Sequence, residues 1–210
     1  MLDQLSTKPP LIDWIEERLH GDDRLGINIG SEEGLILKAL CSQPQIKKVV
    51  EIGTQYGCSA SWMAMGLGSR GFIHCFEKNP SVAQKATETF EHSDFKALGC
   101  KVKLHQGSAL ELLPNIVNDG PFDLVFIDAN KAGYLDYFNW ATNNIRSGGL
   151  VVVDNVYLFG TVFLDECPAG TPKKMWKVMK QLLTQAFSDP NLASSLVPTR
   201  EGLLVSCKKS

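Results

Sequence analysis

The sequence predicts an α/β fold: a mostly parallel seven-stranded sheet with helices on both faces and an antiparallel strand at its edge. Five strand-like segments alternate with segments of helix length, and this alternation is typical of βαβ units. Two more short strands near the end of the chain predict a hairpin. The strand-like segments are residues 47–52, 72–77, 101–106, 122–128, 150–154, 195–199 and 202–207.

Helical patterns lie between these strands. They cover residues 58–68, 80–97, 109–118, 132–146 and 172–187. Pro80 marks one helix start, and the pair Gly148-Gly149 closes the helix before the fifth strand. Ahead of the sheet, prolines begin a helix over residues 9–19, a loop covers 21–26, and Ser31 is the N-cap of a second helix that runs to about Cys41.

These assignments predict one domain. Its 210 residues divide into N-terminal helices within 1–43 and an α/β core over 47–210, with no repeat or linker between them. A chain of this length buries a substantial core.

The amino-acid composition limits which partners and which cellular compartment we expect. A formal net charge of -2 gives no basic footprint for nucleic acid. No apolar run approaches the length of a membrane span, and the first residues lack a signal peptide's basic and apolar regions. The six cysteines are widely scattered with no C-x-x-C pair, which predicts free thiols in a reducing compartment. We therefore expect a cytoplasmic protein with no membrane partner.

The first strand ends in a glycine-rich turn. Glu51 closes an apolar run, Gly53 and Gly57 follow four positions apart, and a helical pattern begins at about Ser59. The spacing differs from the G-x-G-x-x-G dinucleotide fingerprint, and the acid would repel a pyrophosphate. An amino-acid group suits the turn better, with its ammonium near Glu51 and its carboxylate near Ser59 and the helix N-terminus. S-adenosylmethionine (SAM) carries such a group; a purely structural glycine turn is the alternative.

Further candidate ligand groups follow the next two strands, because ligands in open α/β sheets lie beyond the carboxyl ends of the strands. Glu77 can accept hydrogen bonds from both hydroxyls of a ribose, or it is a solvated loop acid. Gly107, Ser108 and Ala109 are small enough to let an adenine ring lie flat.

The fourth and fifth strands each end in an acid. Asp128 follows one, and Asp154 with Asn155 follows the other. Three oxygen ligands of this type suit Mg²⁺, with Ca²⁺ or Mn²⁺ as alternatives. Two acids at strand ends also occur in α/β proteins that hold no metal, so both interpretations stay open at this point.

Together these motifs resemble the cation-dependent O-methyltransferases, a family that includes the catechol and caffeoyl-CoA types. The likeness covers roughly residues 26–160. Its motifs are the stretch 26–34, Glu51-Ile52-Gly53-x-x-x-Gly57-x-Ser59, Asp128-x-x-Lys131-x-x-Tyr134, and Gly148-Gly149-(x)4-Asp154-Asn155 followed by Gly160. The resemblance implies a Rossmann-like class I SAM-dependent methyltransferase fold and a homodimer.

It also implies roles for individual residues. Ile29, Glu51, Gly53 and Ser59 would hold the methionine part of SAM, Glu77 its ribose and Ala109 its adenine. Asp128, Asp154 and Asn155 would bind the divalent cation, and Asp128 would also approach the methionine part. Lys131 would be the general base that deprotonates a hydroxylated aromatic acceptor, whereas without its flanking motif it would be read as a surface lysine.

Two departures from the family pattern concern the metal site and the acceptor, since the first removes a negative charge near the metal. Asn130 stands where many members carry an aspartate, and Leu158 stands where plant-type members carry a tryptophan. Tyr157, Leu158 and Phe159 are candidates for the acceptor wall, with core packing as the alternative.

The predicted function is transfer of a methyl group from SAM to one hydroxyl of a catechol-like small molecule. The alternatives are methylation of a hydroxylated tRNA uridine, a metal-independent small-molecule methyltransferase, and a non-catalytic SAM or nucleotide sensor. A sensor would have no use for a lysine beside three oxygen ligands.

Overall fold

The computed structural model describes residues 8–21 and 28–210. The predicted loop at 21–26 and the start of the stretch 26–34 therefore lie largely outside the described residues. Eight helices, α1 to α8, occur in that part of the chain. They are Pro10–Gly21, Ser31–Cys41, Cys58–Leu67, Pro80–Glu91, Ser93–Ala97, Ala109–Leu112, Tyr134–Asn144 and Lys173–Ser188.

Seven strands, β1 to β7, belong to one mixed sheet that is mostly parallel with antiparallel strands at an edge, which confirms the predicted fold class. They are Lys48–Ile52, Phe72–Glu77, Lys101–Gln106, Phe122–Ile127, Ile145–Val153, Leu192–Val197 and Leu203–Lys208. Short 3₁₀ segments lie at Gly68–Arg70, Leu113–Asp119, Lys131–Gly133 and Thr161–Phe163.

By backbone proximity the chain forms two compact units, one that runs to Ala109 and one that starts at Leu110. The single domain over 1–210 stays a prediction. None of the helices in 8–21 and 28–210 has both the length and the apolar character needed to cross a bilayer.

In the first unit the strand order is β3-β2-β1, all parallel, with Glu51 beside Cys75 and Glu77 beside Gln106. Helices α2 and α3 pack closely, and a glycine permits it. A Cβ built on Gly34 would lie 2.3 Å from Trp62 Nε1. At the start of α4, the side chain of Asn79 accepts a hydrogen bond from Ser81 N, and Pro80 takes the first helical position.

In the second unit the order is β4-β5-β7-β6. Strands β4 and β5 are parallel, and β7 pairs antiparallel with both β5 and β6. The predicted hairpin and its antiparallel strand are thereby confirmed. Strand β4 is buried along its whole length, as expected for a central strand covered on both faces.

Four local predictions differ from the structure. Ser31 is not the N-cap of α2, because Gly30 takes that position without a side-chain bond. The helix predicted over 80–97 breaks at His92, whose extended backbone separates α4 from α5. The helix predicted over 109–118 is one α-turn followed by a 3₁₀ segment, where Pro114 cannot donate a helical hydrogen bond.

The fourth difference concerns Gly148 and Gly149, which lie inside β5 rather than at a helix end. Helix α7 ends at Asn144, and β5 begins at Ile145. The pairing with β4 shifts register, with Phe122 beside Ile145 and Leu124 beside Leu150. Gly148 has φ 72°, so the two glycines accommodate the bulge.

Candidate active site

The glycine turn (residues 53–57) connects β1 to α3. Gly53, Gln55 and Gly57 have positive φ values of 95°, 50° and 84°. The backbone N–H groups of Gly53 and Thr54 both donate to Phe76 O, at 3.0 and 3.1 Å. A Cβ on Gly57 would lie 3.0 Å from the Phe90 ring, so conformation and space both favour glycine there.

Glu51 lies beneath this turn and is fully buried. Its carboxylate accepts hydrogen bonds from Thr54 Oγ1 at 2.7 Å and from Ser59 Oγ at 2.5 Å. A buried carboxylate needs such donors, since burial otherwise disfavours its charge. The sequence placed Glu51 and Ser59 at opposite ends of an amino-acid group, and the structure joins them directly.

Glu77, at the end of β2, is bonded to the same turn. Its two oxygens accept hydrogen bonds from Gln55 N at 3.0 Å and from Asn79 N at 2.9 Å. Each oxygen keeps acceptor capacity for a further donor such as a hydroxyl. The carboxylate is therefore held by backbone rather than solvated freely.

Ile29 and Ala109, the two remaining candidates in this unit, are both buried. Ile29 adjoins Asn28, whose amide nitrogen lies 3.9 Å from Cys58 Sγ at the start of α3. Gly107 N donates to Glu77 O at 2.9 Å, two residues before Ala109. The structure thus links one flanking segment to α3, which carries Ser59, and the other to the end of β2, which carries Glu77.

Sequence analysis missed the residues that hold the turn from outside. Thr89 of α4 is fully buried, and its Oγ1 donates to Tyr56 O at 2.7 Å. Arg18 of α1 donates to that same Thr89 hydroxyl at 3.2 Å, and its guanidinium carbon lies 5.5 Å from the Tyr56 ring centroid. Arg18 and Thr89 are 71 positions apart, so no local sequence pattern indicates the contact.

In the second unit, the acid–lysine cluster (Asp128, Lys131, Asp154 and Asn155) follows β4 and β5. Asp154 N donates to Ile127 O at 3.0 Å, which brings the ends of the two strands together. Asn155 Nδ2 lies 3.1 Å from both Asp128 Oδ1 and Asp154 Oδ2. One amide therefore contacts both carboxylates.

Lys131 begins the 3₁₀ segment after β4. Its Nζ lies 3.7 Å from Asp128 Oδ1 and donates to Tyr134 Oη at 2.5 Å. The Tyr134 hydroxyl in turn donates to Asp128 Oδ1 at 3.3 Å. Lysine, tyrosine and aspartate thus form one hydrogen-bonded chain.

Burial sets the protonation tendencies of this chain. It lowers the pKa of Lys131 below the ordinary 10.5, although Asp128 and Asp154 act in the opposite direction. It raises the pKa of Asp128 above 3.8, against the favourable contacts with Lys131, Asn155 and Tyr134. Both directions disfavour the charged forms, as desolvation does, so Lys131 is more easily deprotonated than a surface lysine.

The cluster has the donor set of a site for a hard cation. Among residues 8–21 and 28–210, no group of three or more histidine, cysteine or acidic side chains is arranged to hold a metal. Here two carboxylates converge instead on the amide of Asn155, whose oxygen supplies a third hard ligand when the amide is turned. The residues present therefore fit Mg²⁺, Ca²⁺ or Mn²⁺ with positions left for other oxygens.

The segment after Asn155 contains the candidate acceptor wall. Leu158 and Phe159 have left-handed backbones, with φ 47° and 55°. Leu158 is buried, whereas Phe159 is 85% exposed. Tyr157 packs edge-on against Phe163, with ring centroids 5.1 Å apart. Core packing therefore describes Leu158 but not Phe159.

Known proteins are similar to this chain in sequence and in fold. The O-methyltransferase family model matches residues 10–209. A catechol O-methyltransferase of Niastella koreensis is 37% identical over 142 residues, which are 67% of this chain and 62% of that protein. A catechol O-methyltransferase of Mycobacterium tuberculosis is 32% identical over 194 residues, which span 85% of this chain and 86% of that protein.

Solved structures of O-methyltransferases are similar to this chain in fold. The O-methyltransferase TomG of Streptomyces achromogenes, in complex with SAM, superimposes with a TM-score of 0.86 at 26% identity, covering 98% of this chain and 92% of that one. An O-methyltransferase of Bacillus cereus in complex with SAH has a TM-score of 0.87 at 24% identity, covering 99% and 94%, which shows the shared fold.

The fold and these matches define the class: a SAM-dependent methyltransferase that acts on oxygen. Within that class, the chain belongs to the O-methyltransferase family, as the family model shows over almost its whole length.

Proposed function

We propose that this protein transfers the methyl group of SAM to one hydroxyl of a vicinal dihydroxy aromatic molecule, assisted by a divalent cation. The observation that carries the proposal is the contact of a single amide, Asn155 Nδ2, with both Asp128 and Asp154, beside the amine of Lys131. The names of the two catechol O-methyltransferase relatives support the acceptor class.

In this proposal the residues of the first unit bind SAM. The N-terminus of α3 offers N–H groups to the carboxylate of its methionine part, and the Glu51–Ser59 pair offers acceptor oxygens to the ammonium. Ile29 and Gly53 line the same part. Glu77, fixed by two backbone amides, accepts from the ribose hydroxyls, and Ala109 leaves space for the adenine.

Asp128, Asp154 and Asn155 would hold the cation. A bound divalent cation lowers the pKa of a phenolic hydroxyl, ordinarily about 10, and chelation by two vicinal oxygens fixes their orientation. Two carboxylates and a neutral amide would balance the charge of a divalent ion, which would still act as a Lewis acid towards an acceptor oxygen.

Lys131 takes the proton. Its Nζ must carry a lone pair to act as a base, and burial favours that neutral form. The acceptor oxygen loses its proton to Nζ and forms a bond to the methyl carbon. The sulfur–methyl bond breaks, its electron pair stays on sulfur, and the sulfonium becomes a neutral thioether.

We also propose that the protein works in the cytoplasm as a homodimer. All six cysteines are free, which suits a reducing compartment. Light scattering of the purified protein tests the dimer: a mass of one chain would contradict it.

The acceptor class is tested with labelled SAM, Mg²⁺ and a matched pair of diols. Catechol and resorcinol carry the same two hydroxyls, but only catechol has them on adjacent carbons. We expect methylation of catechol and at most trace methylation of resorcinol, because only vicinal oxygens chelate one cation. Equal rates would contradict chelation, and labelling of hydroxyuridine-containing tRNA instead of catechol would favour the nucleic-acid alternative.

A further inference from the structure

Tyr134 is a buried residue of the second unit that the proposed chemistry does not use. It is the first residue of α7, and its side chain is fully buried. A packing role alone would be served by phenylalanine, which has no hydroxyl to desolvate. The tyrosine hydroxyl therefore calls for a separate explanation.

That hydroxyl lies between the base and one of the proposed metal ligands. Tyr134 Oη accepts from Lys131 Nζ at 2.5 Å and donates to Asp128 Oδ1 at 3.3 Å. Lys131 Nζ also lies 4.3 Å from the centroid of the Tyr134 ring, so it contacts the face of the ring as well as the hydroxyl. Two separate contacts thus fix the end of a side chain that is otherwise flexible.

The direct distance from Lys131 Nζ to Asp128 Oδ1 is 3.7 Å, which is longer than a hydrogen bond. The hydroxyl bridges this gap, since it satisfies Nζ on one side and the carboxylate on the other. Without it, the amine can move closer to Asp128 and form a directly hydrogen-bonded ion pair. Such a pair would occupy the carboxylate oxygen and turn Nζ away from the acceptor.

We propose that Tyr134 is a positioning residue that holds the amine of Lys131 apart from Asp128. The amine is thereby kept available for the acceptor proton, and the carboxylate is kept available for the cation. This inference rests on the proposed function, which assigns Lys131 as the base and Asp128 as a cation ligand.

The test is Tyr134→Phe, with Tyr137→Phe as the matched control. Tyr137 lies one turn further along α7, and its hydroxyl donates to Asn130 Oδ1 at 2.9 Å. We expect Tyr134→Phe to lower kcat for catechol about 10- to 100-fold, a size typical of a misplacement of about 1 Å. The KM for SAM should stay within about twofold of the wild-type value, because the change leaves the glycine turn intact.

The second readout is Mg²⁺ binding by calorimetry without substrate. Tyr134→Phe should bind Mg²⁺ several-fold more weakly, because the amine then competes for Asp128. In a Lys131→Met background the same substitution should leave Mg²⁺ affinity unchanged, since no amine remains to compete. This pair of measurements separates the positioning role from a general loss of packing, and thermal unfolding shows whether each variant folds.

Mg²⁺ affinity equal to that of the wild type, or a loss of kcat that Tyr137→Phe reproduces, would overturn the inference. A wild-type protein that binds Mg²⁺ but methylates no catechol would contradict the proposed function, while the binding measurements would still decide the role of Tyr134.

Discussion

The glycine turn and the acid–lysine cluster are built in opposite ways. Around the turn, backbone groups and hydroxyls fix the acids: Glu51 accepts from two hydroxyls and Glu77 from two amides. In the cluster, side chains contact mainly one another, and burial shifts the pKa values of Lys131 and Asp128 towards the neutral forms. The positive φ values of Asn155, Leu158 and Phe159 lie in the same region.

The difference indicates which region is complete before a ligand arrives. A carboxylate held by backbone amides keeps its position whether or not SAM is bound. The turn has one non-glycine residue with left-handed backbone, Gln55, whereas the cluster region has three such residues and a lysine desolvated beside acids. These arrangements are costly, and such costs are typical of reactive sites. We therefore expect changes in the turn to alter SAM binding and changes in the cluster to alter turnover.

The largest effect should come from Lys131→Met. Loss of a general base typically costs between about 10² and 10⁴ in rate, and we expect kcat to fall by about 10³. The affinity for SAM, measured by calorimetry, should not change. Lys177→Met, at an exposed lysine of α8, is the matched control. Wild-type turnover in Lys131→Met would remove the lysine as base.

The pH dependence of turnover gives the next largest effect. Lys131 accepts a proton only when it is neutral, so kcat should rise about tenfold per pH unit below its lowered pKa and then level off. Rates at saturating SAM and catechol from about pH 6 to about pH 9 measure this. The residual rate of Lys131→Met should vary with pH only through the ionisation of the acceptor hydroxyl. A flat wild-type profile would contradict the role of the lysine.

Glu51→Gln tests the turn. The amide keeps the shape of the side chain but loses the charge and can accept only one of the two hydroxyl bonds. Loss of a hydrogen bond to a charged group costs about 1.5 to 3 kcal/mol, so the Kd for SAM should rise about 10- to 100-fold. At saturating SAM, kcat should remain close to that of the wild type. Glu91→Gln, at an exposed acid, is the control. A lower kcat with normal SAM affinity in Glu51→Gln would contradict the assignment of SAM binding to the turn and turnover to the cluster.

The smallest effect is expected from Arg18→Ala. The substitution removes the bond to Thr89 but leaves the Thr89 bond to Tyr56 O in place. One hydrogen bond contributes about 0.5 to 1.5 kcal/mol, so the Kd for SAM should rise about 2- to 10-fold. Arg70→Ala, whose guanidinium instead bonds Cys41 O and Gly66 O, should leave the Kd unchanged. A similar loss in both variants would indicate general destabilisation.

Sequence predicted the features that local chemistry determines. Three features follow from periodicity, glycine spacing and the rule that ligands bind at carboxyl strand ends: the alternation of strands and helices, the glycine turn at Gly53 and Gly57, and the acids at the strand ends. The prediction that Gly148-Gly149 closes a helix was wrong, although a glycine pair after a helical pattern usually ends one. Only the pairing of β5 with β4 shows otherwise.

The remaining features depend on tertiary contacts. The bond between Arg18 and Thr89 joins distant helices, and no periodicity encodes it. The direct bond between Glu51 and Ser59 could not be predicted, because it depends on the course of the backbone through the turn. Tyr134 was visible as a motif residue, but its place between Lys131 and Asp128 depends on rotamers that only packing fixes.

The most direct test of the central claim is the rate of methyl transfer to catechol as a function of free Mg²⁺. The wild-type protein should show no transfer in EDTA and should recover fully when Mg²⁺ is added in excess. Asp154→Ala should bind SAM normally but fail to recover under the same conditions. A wild-type rate that is the same in EDTA and in Mg²⁺ would contradict the account.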